Sequence, residues 1–314
     1  MIINTGQRTD IVQYFTPWLL RRFEEGYVLS RNPMFPDKVN RYDLTPEKVD
    51  CVVFCSKNYE PILNDLHRIT DRFNTYFFYT ITAYGKDIEP GVPSIDESID
   101  TLRRLSDIVG RKRLIWRYDP VLLTERYTVD VHLETFARMA AEIAPYVDGC
   151  VFSFVEMYDK LQFNMPELIP VPEEDRIRLA EGLGRIAAEN GLRIGICGTD
   201  RDYTAYGIGR SGCLTLDAIG EANGVRFRDV RHKGMRKGCH CIESRDIGWY
   251  DTCLNGCRYC YANTNPTKAF DNHALHDVDS PLLLGHLKDT DEVQQGNQDS
   301  FLAKRRNVIS LDDF

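Results

Sequence analysis

Short β-forming runs alternate with amphipathic stretches through the first two-thirds of this 314-residue chain. The strand-like runs are residues 2–5, 51–55, 76–82, 114–118, 150–154 and 193–197. Between them, residues 11–25, 61–73, 95–109, 129–144 and 173–190 place apolar side chains at helical spacing, and the last stretch ends at Asn190-Gly191, a helix stop signal. Such alternation predicts βαβ units and a mostly parallel sheet, because each strand must be carried back over the sheet by a crossover helix. Six units in about 200 residues suit a partial or complete (β/α) TIM-like barrel better than an open sheet.

The residues at the predicted strand ends are polar. They are Arg8-Thr9-Asp10, Ser56-Lys57-Asn58, Thr82 to Lys86, Arg117-Tyr118-Asp119-Pro120, Ser153 to Lys160 and Cys197-Gly198-Thr199-Asp200. In a (β/α) barrel these ends meet at one mouth, where ligands bind. Any one of them alone reads equally well as a solvated loop residue or a cap, and Asp10, just before residues 11–25, suits an ordinary N-cap. Six together predict a mouth lined for a ligand. Arg8, Lys57, Arg117 and Lys160 are candidates to fix anionic groups, and Asp10 and Asp119 to accept hydrogen bonds from hydroxyls or amines. The alternative for Arg117 and Asp119 is pairing with neighbours to brace the barrel.

A 43% hydrophobic content is ample for a sizeable core. The net charge of −8 argues against a general nucleic-acid or anionic-membrane surface. The locally basic stretch 226–237 lacks the aromatic interleaving of a nucleic-acid patch and reads as a solvated or site-flanking segment. No stretch approaches membrane-spanning length, and Met1 to Gly6 has no basic region leading into a long apolar run. The expectation is a cytoplasmic protein, where ten cysteines read as thiolate ligands rather than disulfides.

The cysteines are unevenly spread. Cys51 and Cys150 lie in apolar strand-like runs as small core residues, and Cys55, near a strand end, is assigned the same structural role. The other seven crowd between Cys197 and Cys260. Cys253, Cys257 and Cys260 form C-x3-C-x2-C around Asn255-Gly256, a turn signal, so the segment reads as a loop wrapped round a ligand. Three thiolates from one loop can bind three irons of a [4Fe-4S] cluster and leave the fourth open. Zinc is the rival reading, but it usually takes four ligands, and core packing ranks below both. Cys197, Cys213, Cys239 and Cys241 supply four thiolates, the full set for a second [4Fe-4S] cluster, with a zinc site as the alternative. Past Leu214 the alternation fades. The expected organisation is a barrel over 1–212, a cysteine-rich metal segment over 213–264 docked on the barrel mouth, and a tail over 265–314 wrapping the domain.

The three-cysteine run resembles the cluster motif of radical S-adenosylmethionine (SAM) enzymes, and Tyr259-Cys260-Tyr261-Ala262-Asn263 is similar to the corresponding stretch of spore-photoproduct-lyase-like members. In those enzymes the loop follows the first barrel strand, whereas here it follows all the clear βα units. The chain as a whole resembles the DUF1848 family of uncharacterised proteins. That likeness is carried by Arg8-Thr9-Asp10-Ile11, Trp116-Arg117-Tyr118-Asp119-Pro120, Ser153-Phe154 with Tyr158 and Lys160, and Cys239-His240-Cys241 followed by Asp246 to Cys253. Gln7 and Cys55 depart from the family pattern, which has arginine and an aromatic there. The resemblance to radical SAM enzymes implies reductive cleavage of SAM at the open iron to start radical chemistry. Arg117, Asp119, Lys57 and Lys160 would then be the catalytic candidates, and Tyr259, Arg8, Asp10 and Asn263 would line the cofactor. It also implies a small-molecule or peptide substrate and an electron donor such as flavodoxin or ferredoxin. An iron–sulfur electron-transfer or redox-sensing protein, and a zinc-stapled binding module, are the competing functions.

Overall fold

The computed structural model describes residues 1–210, 212–230 and 238–303. Strand β1 (Ile2–Asn4) leads into helices α1 (Ile11–Tyr14) and α2 (Thr16–Glu25), then a hairpin of β2 (Tyr27–Arg31) and β3 (Lys38–Asp43). Next come β4 (Cys51–Ser56), the one-turn helix α3 (His67–Thr70), β5 (Thr75–Thr80), α4 (Ile95–Val109), β6 (Leu114–Val121), α5 (Val129–Ile143) and β7 (Gly149–Phe154). The chain continues through α6 (Leu161–Asn164), α7 (Glu173–Glu189), β8 (Arg193–Ile196), α8 (Leu216–Asn223), β9 (Arg245–Asp246), α9 (Pro266–His273) and β10 (Glu292–Gln295).

All six expected strands form, and they neighbour one another in chain order, β1-β4-β5-β6-β7-β8, every pairing parallel. Two-residue β9 adds to the free side of β1. That order is the winding of a (β/α) barrel, yet among the described residues no pairing joins β8 to β9. The described residues therefore form an open seven-stranded parallel sheet rather than a complete, closed barrel. The physical reason lies after β8. Instead of another βα unit the chain supplies α8, whose Leu216 and Ile219 pack on the face of the sheet that bears Ile2, Val53, Tyr76, Phe78 and Ile115. The space that further strands would enclose is already filled.

The opposite face carries the main core. Strand residues such as Val52, Phe54, Phe77 and Trp116 alternate with those above and meet the apolar stripes of α2, α4, α5 and α7. Trp116 is fully buried and stacks on Phe136 of α5. Helix limits follow local chemistry. Ser94 and Glu97 form a reciprocal capping box on α4, and Thr128 caps α5. The expected single helix over 11–25 is split at Phe15, because Pro17 has no N–H to donate and its ring crowds the preceding turn. The expected helix over 61–73 is a 3-10 turn followed by α3.

Four strands lay outside the six-strand reading: short β9, β2 and β3, and β10, which joins β3 in parallel to make a second, three-stranded sheet. The approach to β10 is anchored where the Trp18 indole N–H donates to the Ser280 carbonyl at 2.8 Å. No helix among the described residues is long and apolar enough to cross a membrane. Of the basic stretch 226–237, residues 231–237 lie outside the described residues.

One buried titratable group gives a pH signature of this core. His132 of α5 is fully buried between the Tyr118 hydroxyl and the Leu122 carbonyl, each 2.7 Å from a ring nitrogen, and burial lowers its pKa to about 4. Below an unfolded value of about 6.5 the unfolded imidazole takes up a proton that the folded one refuses. Stability is thus lost as pH falls from there towards 4, by roughly 3 kcal/mol from this group. An NMR titration should find this imidazole still neutral at pH 5. Titration near its ordinary value would contradict the burial argument.

Candidate metal centre

The C-terminal ends of the strands open onto one chamber of about 520 Å³. Both cysteine groups line it, and so do Arg8, Asp10, Lys57, Arg117, Asp119, Tyr259 and Asn263. Lys160 stands behind the wall.

The thiols of Cys197, Cys213 and Cys241 are gathered within 4.8 Å of one another, close enough to hold a metal ion. Cys197 leaves the end of β8, its N–H donating to Phe152 at 2.9 Å. Cys213 precedes α8, and the backbone bond from Ile242 to Leu214, 2.9 Å, sets Cys241 beside it. Gly212 permits that approach, since a Cβ there would lie 2.6 Å from the His240 backbone. The sulfurs of Cys213 and Cys241 are 3.2 Å apart and those of Cys197 and Cys213 3.8 Å. Cys239 lines the same chamber but is not among the three thiols gathered within 4.8 Å, so the structure brings together three of the four expected ligands. Hydrogen bonding from Cys213, Cys239 and Cys241 drives the Cys197 thiol far below its usual range, while Cys241 is pushed up by Cys197, Cys213 and Cys239.

The Cys253–Cys260 loop is set differently. Its thiols all face the chamber and influence one another, but they are not gathered to the distance reached by the first group. Desolvation raises the Cys253 thiol to about 12. The Asn255-Gly256 turn forms as expected, with Gly256 at φ 64°. The loop is seated on the strand ends by backbone bonds from Gly91 to Asn255, 2.8 Å, and from Arg258 to Ile88, 3.0 Å. Lys160 donates to the carbonyls of Tyr261 and Asn263 at 2.8 and 2.6 Å, and the Asn263 amide donates to Cys253 at 2.6 Å. Lys160 therefore clamps the loop rather than facing the chamber.

Most of the other candidates are committed to partners. Asp10 is the N-cap of α1, accepting from Gln13 N–H at 3.0 Å, and also accepts from Ser56 Oγ at 2.7 Å, Lys57 N–H at 2.9 Å and Asn255 at 3.5 Å. It ties two strand ends to the cysteine loop, which is the capping alternative extended, and those donors occupy the oxygens expected to meet hydroxyls or amines. Arg8 reaches the Asp246 and Gly248 carbonyls at 3.5 and 3.4 Å and lies over the Tyr250 ring. Arg117 pairs with Asp119, which also accepts from Ser153. Burial opposes the Arg117 charge, but Asp119 and then Cys55 outweigh it and hold its pKa well above the ordinary value.

Two residues escaped the sequence reading. Cys55 is not a plain core residue as expected: it is half-buried on the chamber wall, with Arg117 Nη1 donating to its sulfur at 3.1 Å. The cue available was its position in the β4 alternation, two residues beyond Val53 on the inner face. Glu89, 2% exposed, accepts from Lys57 Nζ at 2.9 Å, Thr82 Oγ1 at 2.8 Å and the Tyr259 hydroxyl. It lies just past the polar stretch 82–86, in a turn-rich run that gave no periodic signal. Cys51 and Cys150 are buried core residues as expected.

The fold and this site define an α/β protein with a cysteine cluster that could bind metal at the ends of a parallel sheet. The chain matches the model of DUF1848, a domain of unknown function, over residues 2–262, and belongs to that family. No curated protein matches it.

Proposed function

We propose that this protein is an iron–sulfur enzyme of the radical SAM type, with the Cys253–Cys260 loop as its reactive centre. The observation that carries the reading is that these three thiols line one chamber together with the strand-end charges Arg8, Lys57 and Arg117. A donor set of three thiolates on one turn suits a cluster with an open iron, which when bound would supply one-electron reduction of SAM. The chain's own work is to seat the loop through Lys160 and Asp10, to orient anionic groups, and to keep water out behind buried Tyr259. The substrate of this reading is a small molecule or a peptide, admitted at a chamber of about 520 Å³. A cytoplasmic setting and an electron donor such as flavodoxin or ferredoxin belong to the same proposal.

For the other four cysteines one observation favours a second reading. Thiolates about 2.3 Å from one tetrahedral ion stand about 3.8 Å apart. The 3.8 Å spacing matches that edge and the 3.2 Å one is shorter still, whereas the thiolates of a cubane sit on separate irons and stand farther apart. This group then holds a single ion, zinc or iron, as a staple rather than a second [4Fe-4S] cluster.

The test is anaerobic purification followed by iron and sulfide analysis, then incubation with SAM and dithionite. Iron with matching sulfide and release of 5′-deoxyadenosine are expected. Iron and sulfide without SAM cleavage would turn the reading to electron transfer or redox sensing, and colourless zinc protein would turn it to a stapled binding module.

A further inference from the structure

We propose that Lys57 and Glu89 form a buried charge pair that positions the Cys253–Cys260 loop and sets the redox potential of the centre held there. The inference rests on the reading above and deepens it.

The geometry joins three parts of the chain at one carboxylate oxygen. Lys57 follows β4, Thr82 and Glu89 follow β5, and Tyr259 lies in the loop between Cys257 and Cys260. Lys57, Thr82 and the Tyr259 hydroxyl all donate to Glu89 Oε1, and the Lys57 ammonium lies 5.8 Å from the centre of the Tyr259 ring. Both charges are enclosed, with side-chain exposures of 13% for Lys57 and 3% for Glu89. A buried ion pair contributes little net stability compared with an apolar replacement of the same shape, so packing alone does not account for one here. Its field does something that an apolar pair cannot.

The two members carry opposite charge against Tyr259, which stands between Cys257 and Cys260, so they act with opposite sign on any charge held at the loop. Adding an electron to a thiolate-held centre makes it more negative. Lys57 therefore stabilises the reduced form and Glu89 the oxidised form, and the two effects oppose each other. Enclosure keeps solvent from screening either charge. The pair sits directly behind the loop through Tyr259, so moving it would move the thiols as well.

Opposition of sign separates this role from simple bracing of the loop. In the anaerobically purified full chain, the midpoint potential of the loop centre is titrated with dithionite in wild type, Lys57→Met, Glu89→Gln and the double variant. Lys57→Met should make the potential more negative, Glu89→Gln less negative, and the double variant should fall between the two. A bracing role would disturb both single variants in the same sense and worsen in the double. Shifts of one sign, or none, overturn the proposal while leaving the enzyme reading intact. A protein whose redox signal is unaffected by replacing Cys253, Cys257 and Cys260 together holds no centre at the loop, and that outcome overturns both. If Lys57→Met fails to fold, Lys57→Gln, which keeps a donor for Glu89, carries the same expected sign.

Discussion

Replacing Cys213 with alanine is expected to release one metal ion per chain and to lower the unfolding midpoint by about 10 °C or more. The four thiols of Cys197, Cys213, Cys239 and Cys241 come from three separate stretches: the end of β8, the approach to α8, and the segment leading to β9. Among the described residues the last of these is tied by the backbone bond between Leu214 and Ile242, by the packing of Cys241 and Ile242 on the inner sheet face, and by the Gln7 amide, which donates to Ser244 Oγ at 3.3 Å. An ion bound by all four closes two long loops at once. In small metal-held domains such binding contributes about 10–16 kcal/mol, and that free energy counts directly as folding free energy. A whole domain is stable by only about 5–15 kcal/mol. Loss of one ligand therefore costs far more than loss of a buried thiol elsewhere. Cys51→Ala is the control, since Cys51 is fully buried with no thiol partner and should cost about 1 kcal/mol. Elemental analysis and scanning calorimetry on both variants make the measurement. Equal metal content and equal midpoints in the two would remove the site.

What the sequence made legible and what it hid follow from the range of the interactions. The strand–helix alternation is a local signal, since each element needs only its own periodicity and caps. All six strands accordingly appear, and α4, α5 and α7 sit where the apolar spacing placed them. Closure of the barrel is not local. It depended on whether the chain after β8 would add strands or fill the interior, and α8 has the apolar face to do the second. The hairpin of β2 and β3 was lost because β2 buries three residues in a row, Val28, Leu29 and Ser30, and β3 buries Val39 and Tyr42 three apart, so neither shows a two-residue alternation. The site divides in the same way. The cysteine groups were visible because thiolates are chemically distinctive at any spacing, and the Asn255-Gly256 turn because its backbone needs are local. The roles of the charged residues were not. Asp10 looked like a cap or a ligand, and only the three-dimensional approach of Ser56, Lys57 and Asn255 shows how fully it is engaged. Lys160 looked like a catalytic cation, and it braces carbonyls 101 and 103 residues away in sequence. Nothing near Glu89 announces that a lysine and a tyrosine will meet on it.

Removing the Asp119 charge alone, as Asp119→Asn, is expected to destabilise the protein by about 2–3 kcal/mol, and adding Arg117→Met should recover most of that loss. Arg117 is held strongly in its charged form, with Asp119 the main cause and Cys55 next. Its Nη2 meets Asp119, its Nη1 meets Cys55, and its Nε is buried with no hydrogen-bond partner, so Asp119 is its main counter-charge, with the Cys55, Cys213 and Cys197 thiols adding to it. Taking that charge away leaves a cation on the chamber wall, a fault that costs about 3–5 kcal/mol when fully enclosed. The chamber admits some solvent, with exposures of 24% for Arg117 and 17% for Asp119, and the smaller figure allows for it. Asparagine keeps an acceptor for Ser153 Oγ, so the change reads the charge rather than the hydrogen bond. Urea unfolding of wild type, both single variants and the double gives the coupling directly, and strict additivity would mean that the pair holds nothing together. The double variant then separates bracing from recognition. If Arg117 only braces the strand ends, a refolded double variant that keeps its metal should cleave SAM at close to the wild-type rate. If Arg117 also grips an anionic group of SAM or substrate, the same stable, metal-loaded protein will bind that molecule at least tenfold more weakly, because among the described residues the only other guanidinium on the wall, Arg8, is engaged with Asp246 and Gly248.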